Sequence, residues 1–361
     1  MRNSKAEKMH IIFNPPVNDE NKYIEIMVAP LRKYGLIVHP LDDFFSSRKH
    51  FESVRLVHLN WFENIDESSY RSALRSFARK LFVLSAIRMS GKKLVWTMHN
   101  RASHEKRTGW LSRAITGLLM RWSHRIIIHS KESEEIVERQ YPDALHKLFY
   151  LPHPEFIDSY GPIPEEAATL TGLPLKLLFV GAVKPYKNIE LLIKIAAEFD
   201  NKVHVTIAGK PNTPAYGEAI RQAAEAAGNV HLIPEFIPDH ELPRLMQHCD
   251  LLVLPYDLNS SLNSGTVILA FSYKKTVICP EIGTIDDLGK AKKHVLHYHY
   301  RSEEEHMDQL RTQVAKAIGM KNRNPQIFKL LGNEVFQHVK QEHSKDMVGH
   351  RLLSLYQELL Q

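Results

Sequence analysis

The sequence predicts an α/β protein built from two doubly wound domains. Three observations lead there. The chain has 361 residues, more than one hydrophobic core usually organises. Short apolar runs suited to buried parallel strands alternate with longer segments of helical periodicity. The alternation breaks once, at the Pro-rich stretch LPHPEFIDSYGPIPEE (residues 151–166), and then restarts at LKLLFVG, as expected of a linker.

In the first domain, residues 1–160, the apolar runs place strands at 9–13, 36–39, 56–59, 93–98, 125–129 and 148–151, with helices between them. In the second, residues 166–340, strands fall at 175–181, 204–208, 230–232, 251–255 and 276–279, and the chain then ends in helices. Ligands of doubly wound sheets bind beyond the carboxyl ends of the strands, so the loops that follow these runs are where chemistry is expected.

Composition narrows the function classes. Hydrophobic residues make up 43% and charged residues 24%, the balance of a packed globular chain. The two cysteines, Cys249 and Cys279, sit in apolar segments, which excludes a disulfide framework or a cysteine zinc site and fits a reducing compartment. No apolar run reaches the length of a membrane span, and the polar N-terminus does not read as a signal peptide. Residues 1–160 carry 25 Lys and Arg against 18 Asp and Glu, whereas the remainder carries 22 against 23. Much of the excess lies in two expected helices, 71–88 and 110–125, where cations alternate with Leu, Phe, Ile and Trp. These helices read either as core-facing with solvated charges or as a surface that contacts anionic lipid. No nucleic-acid recognition motif is present.

Two loops carry the clearest chemistry. In VGAVKPYKNIELLIKIAAEF (residues 180–199) a buried strand meets Gly181, a cationic Pro-containing turn and an amphipathic helix. A lysine at a helix start opposes the helix dipole unless an anion is bound. In LLVLPYDLNSSLNSGTVILAFSYKKTVI (residues 251–278) a polar loop delivers Asn263, Ser264, Gly265 and Thr266 to a helix beginning near residue 267. Backbone N–H groups at such a helix start form an anion site.

Together these loops resemble the donor domain of GT-B glycosyltransferases of the group 1 (family 4) kind, whose fold pairs two Rossmann-like domains. The resemblance implies that Gly181 admits the donor and that Lys187, aided by Lys184, neutralises the donor diphosphate. Asn263, Ser264, Gly265 and Thr266 then hold the pyrophosphate. Retaining members carry Arg after the glycine and two glutamates around the second loop. This chain has Ala182, and the glutamate positions fall on Leu262 and Ala270, or on Ser261 and Leu269. The wording GAVKPYKNIE with LNSGTVILAFSYKK is closer to a bacterial branch that includes β-mannosyltransferase-like proteins, which implies inversion. In EFIPDHELPRLMQHCDLLVLPY (residues 235–256) the resemblance places Phe236, Ile237 and Pro238 against the nucleotide base, and it sets Glu281 at a ribose hydroxyl. The pair Asp286 and Asp287 does not resemble a metal-binding DxD, and neither metal nor cofactor is expected.

In the first domain KKLVWTMHNRASHEKR (residues 92–107) resembles the family's TxHN…HE stretch. An inverting transfer needs one general base for the acceptor hydroxyl, and the candidates are His104, Glu105 and His99, with Glu105 or His104 favoured as the base and His99 for a sugar or phosphate contact. Asn18, Asn60, Trp61 and Asn100 are expected on the acceptor, Trp61 by stacking on a sugar face. His153 falls at the interdomain crossing, and a C-terminal helix, 345–361, is expected to pack on the first domain. The implied function is transfer of a hexose from a nucleotide-diphosphate sugar, GDP-mannose first and a UDP-sugar second, to a glycan or lipid-linked saccharide in surface polysaccharide synthesis. The expected location is cytoplasmic, with peripheral attachment to the inner face of the membrane. A non-catalytic partner subunit and a nucleotide-sugar epimerase on the same fold are the alternatives.

Overall fold

A computed structural model describes residues 9–18, 21–66, 68–99, 109–164, 172 and 174–361. The chain forms two compact units, Met1–Pro154 with Ser344–Gln361, and Glu155–His343.

The first unit holds β1 (His10–Asn14), β2 (Ile37–His39), β3 (Val54–Asn60), β4 (Lys93–Met98), β5 (Arg125–Ile128) and β6 (Leu148–Tyr150) in a six-stranded sheet ordered β2-β1-β3-β4-β5-β6. All its pairings are parallel. Buried Ile11, Ile12, Phe13, Leu56, Val57, Leu59, Val95 and Trp96 explain why these segments read as continuous apolar runs, since helices cover both faces of such a sheet. The strand order reverses between β1 and β3, the point at which doubly wound sheets generally bind ligands. The C-terminal helix Lys345–Leu360 belongs to this unit. It approaches the helix Tyr23–Lys33 so closely that a Cβ on Gly349 would come within 2.6 Å of Pro30 Cβ.

The second unit holds β7 (Leu175–Val180), β8 (Val203–Ala208), β9 (Val230–Ile233), β10 (Leu251–Val253), β11 (Val277–Pro280) and β12 (Leu296–Tyr298), ordered β12-β11-β10-β7-β8-β9 and again parallel throughout. Its order reverses between β7 and β10. Strand β12 lies where the sequence reading has only helices. The run VLHYHY alternates apolar and polar side chains, a strand signal, and Ile278 and Pro280 pair it to β11 through Leu296 and Tyr298.

Local signals fix several helix starts. Ser69, Thr213, Ser264 and Ser302 each accept a hydrogen bond from a first-turn N–H, satisfying a donor that the helix cannot. The basic helix expected at 110–125 is shorter, Gly109–Trp122, because Arg125 already opens β5. Among the described residues no helix is long and apolar enough to cross a membrane.

Candidate nucleotide-sugar site

The second unit's site grows from its reversal point. Gly181 ends β7 with φ +123°, a conformation open to glycine, and a Cβ there would stand 3.3 Å from Lys187 Nζ and 3.9 Å from Thr266 Oγ1. The missing side chain is therefore the space that the ammonium and the hydroxyl share. Gly209, after β8, has φ +152°, and a Cβ on it would collide with the Gly181 carbonyl oxygen. Both glycines are required for the two loops to abut.

Lys187 ends the turn Pro185–Lys187, and Asn188 follows in the left-handed region at φ +51°. The Asn188 side-chain amide donates to Pro255 O at 2.9 Å, and Asp257 N donates to Tyr186 O at 3.1 Å. These bonds lock the loop after β7 to the loop after β10. Tyr300, just beyond β12, completes the brace by donating to Tyr256 O and accepting from Leu258 N, both at 2.9 Å.

Two buried lysines of this unit show what is unusual about Lys187. Lys321 is buried against Asp250 Oδ2 at 2.6 Å and Pro174 O at 3.1 Å, the pairing that a buried charge requires. Lys187 is 9% exposed and has no carboxylate partner among the described residues. Its neighbours are the ring faces of Phe179 and Tyr256, 5.6 and 5.9 Å from Nζ. Burial, with a smaller push from Lys184, brings its pKa down to about 8. A buried cation beside a glycine and a helix start is set up to receive an anion.

The helix Gly265–Ser272 supplies the other half. Ser264 caps it, accepting from Val267 N at 3.2 Å while its hydroxyl donates to Tyr256 Oη at 3.0 Å. Its amide donates to Thr284 Oγ1 at 2.9 Å. The cap and the Tyr256 contact thus engage the Ser264 hydroxyl. Thr266 also reaches Tyr256, whose phenol burial holds protonated. What remains for an anion is the first-turn N–H groups of Gly265 and Thr266, which have no acceptor within the helix.

In the first unit the loops after β1, β3 and β4 meet in a neutral cluster. Asn60, the last residue of β3, donates from Nδ2 to Asn14 O at 3.3 Å, which turns its Oδ1 toward His99 Nε2 at 3.0 Å. His99 therefore carries its proton on Nε2. Trp61 follows with φ +49°, an uncommon backbone state for a bulky residue, and its ring stacks on His99 with centroids 4.1 Å apart and planes 16° from parallel. Burial, and then the neighbouring His129, His153 and His58, hold His99 well below the ordinary histidine range.

Beneath it runs a directed chain of hydrogen bonds. His129 Nδ1 donates to Leu151 O at 2.7 Å, so its Nε2 accepts from Tyr23 Oη at 2.9 Å. Tyr23 in turn bonds Thr97, whose Oγ1 lies 2.7 Å from His58 Nε2, and His58 Nδ1 lies 2.5 Å from Tyr356 Oη. With Tyr23 spent as a donor, Thr97 donates to it, His58 donates to Thr97, and Tyr356 donates to His58. Burial takes His58 down to about 3 and His129 to about 4, so both stay neutral.

Residues 168–318 match the model of the family described as glycosyl transferases group 1. That match lies within the second unit and covers less than half of the chain. A GDP-mannose:glycolipid 4-beta-D-mannosyltransferase of Xanthomonas campestris pv. campestris is 28% identical over 240 residues, 66% of this chain and 64% of the relative, so the chain spans less than two thirds of that protein's length. Among solved structures, the sucrose-phosphate synthase of Thermosynechococcus elongatus superposes with a TM-score of 0.73 at 14% identity, over 98% of this chain and 99% of the other. Anabaena HepE in complex with UDP gives 0.68 at 14% identity, over 97% and 100%. The fold of this chain is GT-B, two Rossmann-like domains.

The remaining expected positions distribute unevenly over the two units. Phe236 is 50% exposed in the loop after β9, with Ile237 half-buried beside it. Glu281 follows β11, where its Oε1 accepts from Lys292 Nζ at 2.8 Å and His297 Nδ1 at 2.9 Å. Burial opposes its ionisation, but Lys292 and His297 outweigh that and hold it below the usual carboxylate range. Asp286 is tied to the same Lys292 at 2.7 Å. Asn18 is half-buried in the loop after β1. Asn100, His104 and Glu105 lie outside the described residues. The sequence reading did not single out Tyr23, Thr97, His129, Gly209, Tyr256 or Tyr300. Several of these are polar residues in or directly after apolar strand runs (WTM, IIIH, LPY), and that interruption is the signal that marks them.

Proposed function

We propose that the protein is an inverting glycosyltransferase that moves a hexose from a nucleotide-diphosphate sugar to a glycan or lipid-linked saccharide. The observation that carries this reading is Lys187, a buried ammonium with no carboxylate partner among the described residues, sharing the space left by Gly181 with Thr266 at a helix start. A diphosphate is the anion that such a site fits, and its charge grows as the sugar departs, which is when a fixed cation is most effective. The acceptor hydroxyl oxygen attacks the anomeric carbon, the bond from that carbon to the diphosphate oxygen breaks, and a base takes the hydroxyl proton. His104 or Glu105 serves as base, and Asn100 contacts the acceptor. His99, neutral and held by Asn60 and Trp61, positions the acceptor together with Asn18. Lys187 and the turn Asn263–Thr266 receive the leaving group, Phe236 and Ile237 face the base and Glu281 the ribose, with no metal or cofactor taking part.

GDP-mannose is the first donor, following the name of the Xanthomonas relative, and a UDP-sugar the second, following the UDP of HepE. A membrane-borne acceptor is supported by the helix Tyr70–Met89. Tyr70, Leu74, Leu81, Phe82 and Met89 are exposed on it, with Trp110 and Phe45 exposed on neighbouring segments. The helical repeat gathers these side chains on one side, with Arg71, Arg75 and Arg88 flanking them, the composition of a surface that rests on anionic lipid at the inner face of a membrane.

Thermal-shift titration with GDP, UDP, ADP and their sugars tests the proposal, because a ligand that binds only the folded state raises the melting temperature. Stabilisation by one nucleotide family is expected, followed by acceptor-dependent release of the diphosphate. Silence toward every nucleotide sinks the reading in favour of a non-catalytic partner, and donor isomerisation without acceptor turns it into an epimerase.

A further inference from the structure

A histidine triad lies apart from both sites, at the free edge of the first unit's sheet. His10 opens β1, His39 ends the edge strand β2, and His50 sits on the helix Arg48–Ser53 that leads into β3. All three are half-buried. One ring nitrogen from each lies within 4.8 Å of the other two. His10 Nδ1 and His39 Nε2 are 2.9 Å apart, and the His39 and His50 rings meet edge to face with centroids 4.4 Å apart. His50 Nε2 is screened from solvent and has no hydrogen-bond partner among the described residues.

Burial first, and then the proximity of His50 and His10, lower the proton affinity of His39, with only Asp43 acting in the opposite direction. Burial thus favours the neutral form of His39, the form in which imidazole binds metals. Three converging nitrogens with no carboxylate among them favour zinc, copper or nickel over magnesium or calcium. Zn–N bonds of about 2.0–2.1 Å bring tetrahedral ligands to roughly 3.4 Å separation, a distance that the three nitrogens reach by small side-chain rotations.

We propose that His10, His39 and His50 bind a divalent transition metal ion, Zn2+ in the first instance, with water in the fourth position. The ion replaces the single hydrogen bond between His10 and His39 with two metal–nitrogen bonds. Each neutral ring keeps its one proton on the nitrogen that faces away. The ion pins a three-residue edge strand to its neighbour and to the helix preceding β3, and so braces the side of the sheet that is otherwise open to pairing with another chain.

The test uses tag-free full-length protein stripped with chelator and then titrated with Zn2+ by calorimetry and with Co2+ by visible absorption. One ion per chain and a tetrahedral Co2+ band are expected. The chain has 21 histidines, so the site is assigned by His39→Gln and His50→Gln, each of which should weaken Zn2+ binding by at least about tenfold. Should those variants misfold, Zn2+ protection of His10, His39 and His50 from diethyl pyrocarbonate, read by mass spectrometry on the unmodified sequence, decides instead. Folded variants that bind Zn2+ as well as the parent, an absence of bound ion, or equal modification with and without Zn2+ would each overturn the proposal. None of these readouts depends on glycosyl transfer.

Discussion

Replacing Lys187 with methionine should make the ligand-free protein more stable and the donor site useless. Burial lowers the Lys187 pKa from 10.5 to about 8, and each unit is worth about 1.4 kcal/mol between protonation states, so holding the charged lysine folded costs about 3 kcal/mol below pH 8. The sign follows from linkage. The unfolded chain keeps the proton up to about pH 10.5 and the folded chain loses it near pH 8, so this cost is fully present below pH 8 and vanishes as the pH rises through that window. Methionine removes the charge at similar volume and so recovers part of that cost. The same change deletes a charge-assisted contact to the diphosphate worth about 1.5–3 kcal/mol, or about 10- to 100-fold in nucleotide affinity. Urea unfolding at pH 7 and calorimetric titration with GDP and UDP measure the two effects. In the parent protein, nucleotide affinity should also fall as pH climbs above 8, because binding must then take up a proton. A Lys187→Met variant that is less stable than its parent, or that binds nucleotide equally well, would show that the ammonium is structural and refute the reasoning.

Gly209→Ala drives a methyl group into the Gly181 carbonyl oxygen from a backbone state hostile to alanine, so it should cost several kcal/mol, roughly the scale of an overpacked core with backbone strain, in urea unfolding. Tyr356→Phe leaves His58 Nδ1 buried without its donor and should cost about 1–3 kcal/mol, with a shift in the His58 ring nitrogen resonances as the second readout. His58 and His129 are held to about 3 and about 4 while buried. The unfolded chain gains their protons first as pH drops below 6.5, so stability should fall by about 1.4 kcal/mol per histidine per pH unit between pH 6.5 and 4, and His58→Gln should shallow that slope. Phe82→Glu, on a residue 62% exposed, should leave the melting temperature within a degree or two while reducing cosedimentation with anionic vesicles. Unchanged cosedimentation would remove the lipid-facing reading of its helix.

The sequence disclosed the fold because the strands are buried on both faces and stand out as apolar runs whatever their neighbours. It did not disclose β12, whose VLHYHY run alternates because one side of it carries polar rings. Nor did it disclose strand order, which depends on how crossovers pack rather than on any local pattern. The turn after β7 stands out in the sequence through Gly181 and Lys187, a glycine and a cation at a strand-to-helix transition. The cap made by Ser264 was not legible, because a hydroxyl that suits phosphate also suits a helix start, and Tyr256, which accepts from that hydroxyl, is recognisable only once the loop after β10 is folded against the helix.

The two reversal points differ in kind, and this difference fits the division of labour that the proposed reaction needs. At β7 and β10 the protein spends stability to keep a charge buried, Lys187, where a leaving diphosphate would supply the missing partner. At β1 and β3 it spends a strained backbone at Trp61 and a wired set of neutral groups to keep charge out. The hydrogen-bond chain from Tyr356 through His58, Thr97 and Tyr23 to His129 permits only one direction of donation, so each ring has a fixed tautomer and the floor under His99 cannot reorient without breaking a neighbour's bond. Protonating any one histidine in that floor would face burial and the other rings at once. Under the proposed reaction such a surface would orient a hydroxyl-bearing acceptor without competing for its proton, and proton removal would fall to His104 or Glu105. If instead His99 were the base, a group held far below the ordinary histidine range would make a poor proton acceptor, and His99→Gln would abolish transfer as completely as loss of the true base. The reading advanced here expects that variant to retain measurable turnover with a raised KM for acceptor, and Glu105→Gln or His104→Gln to lose kcat.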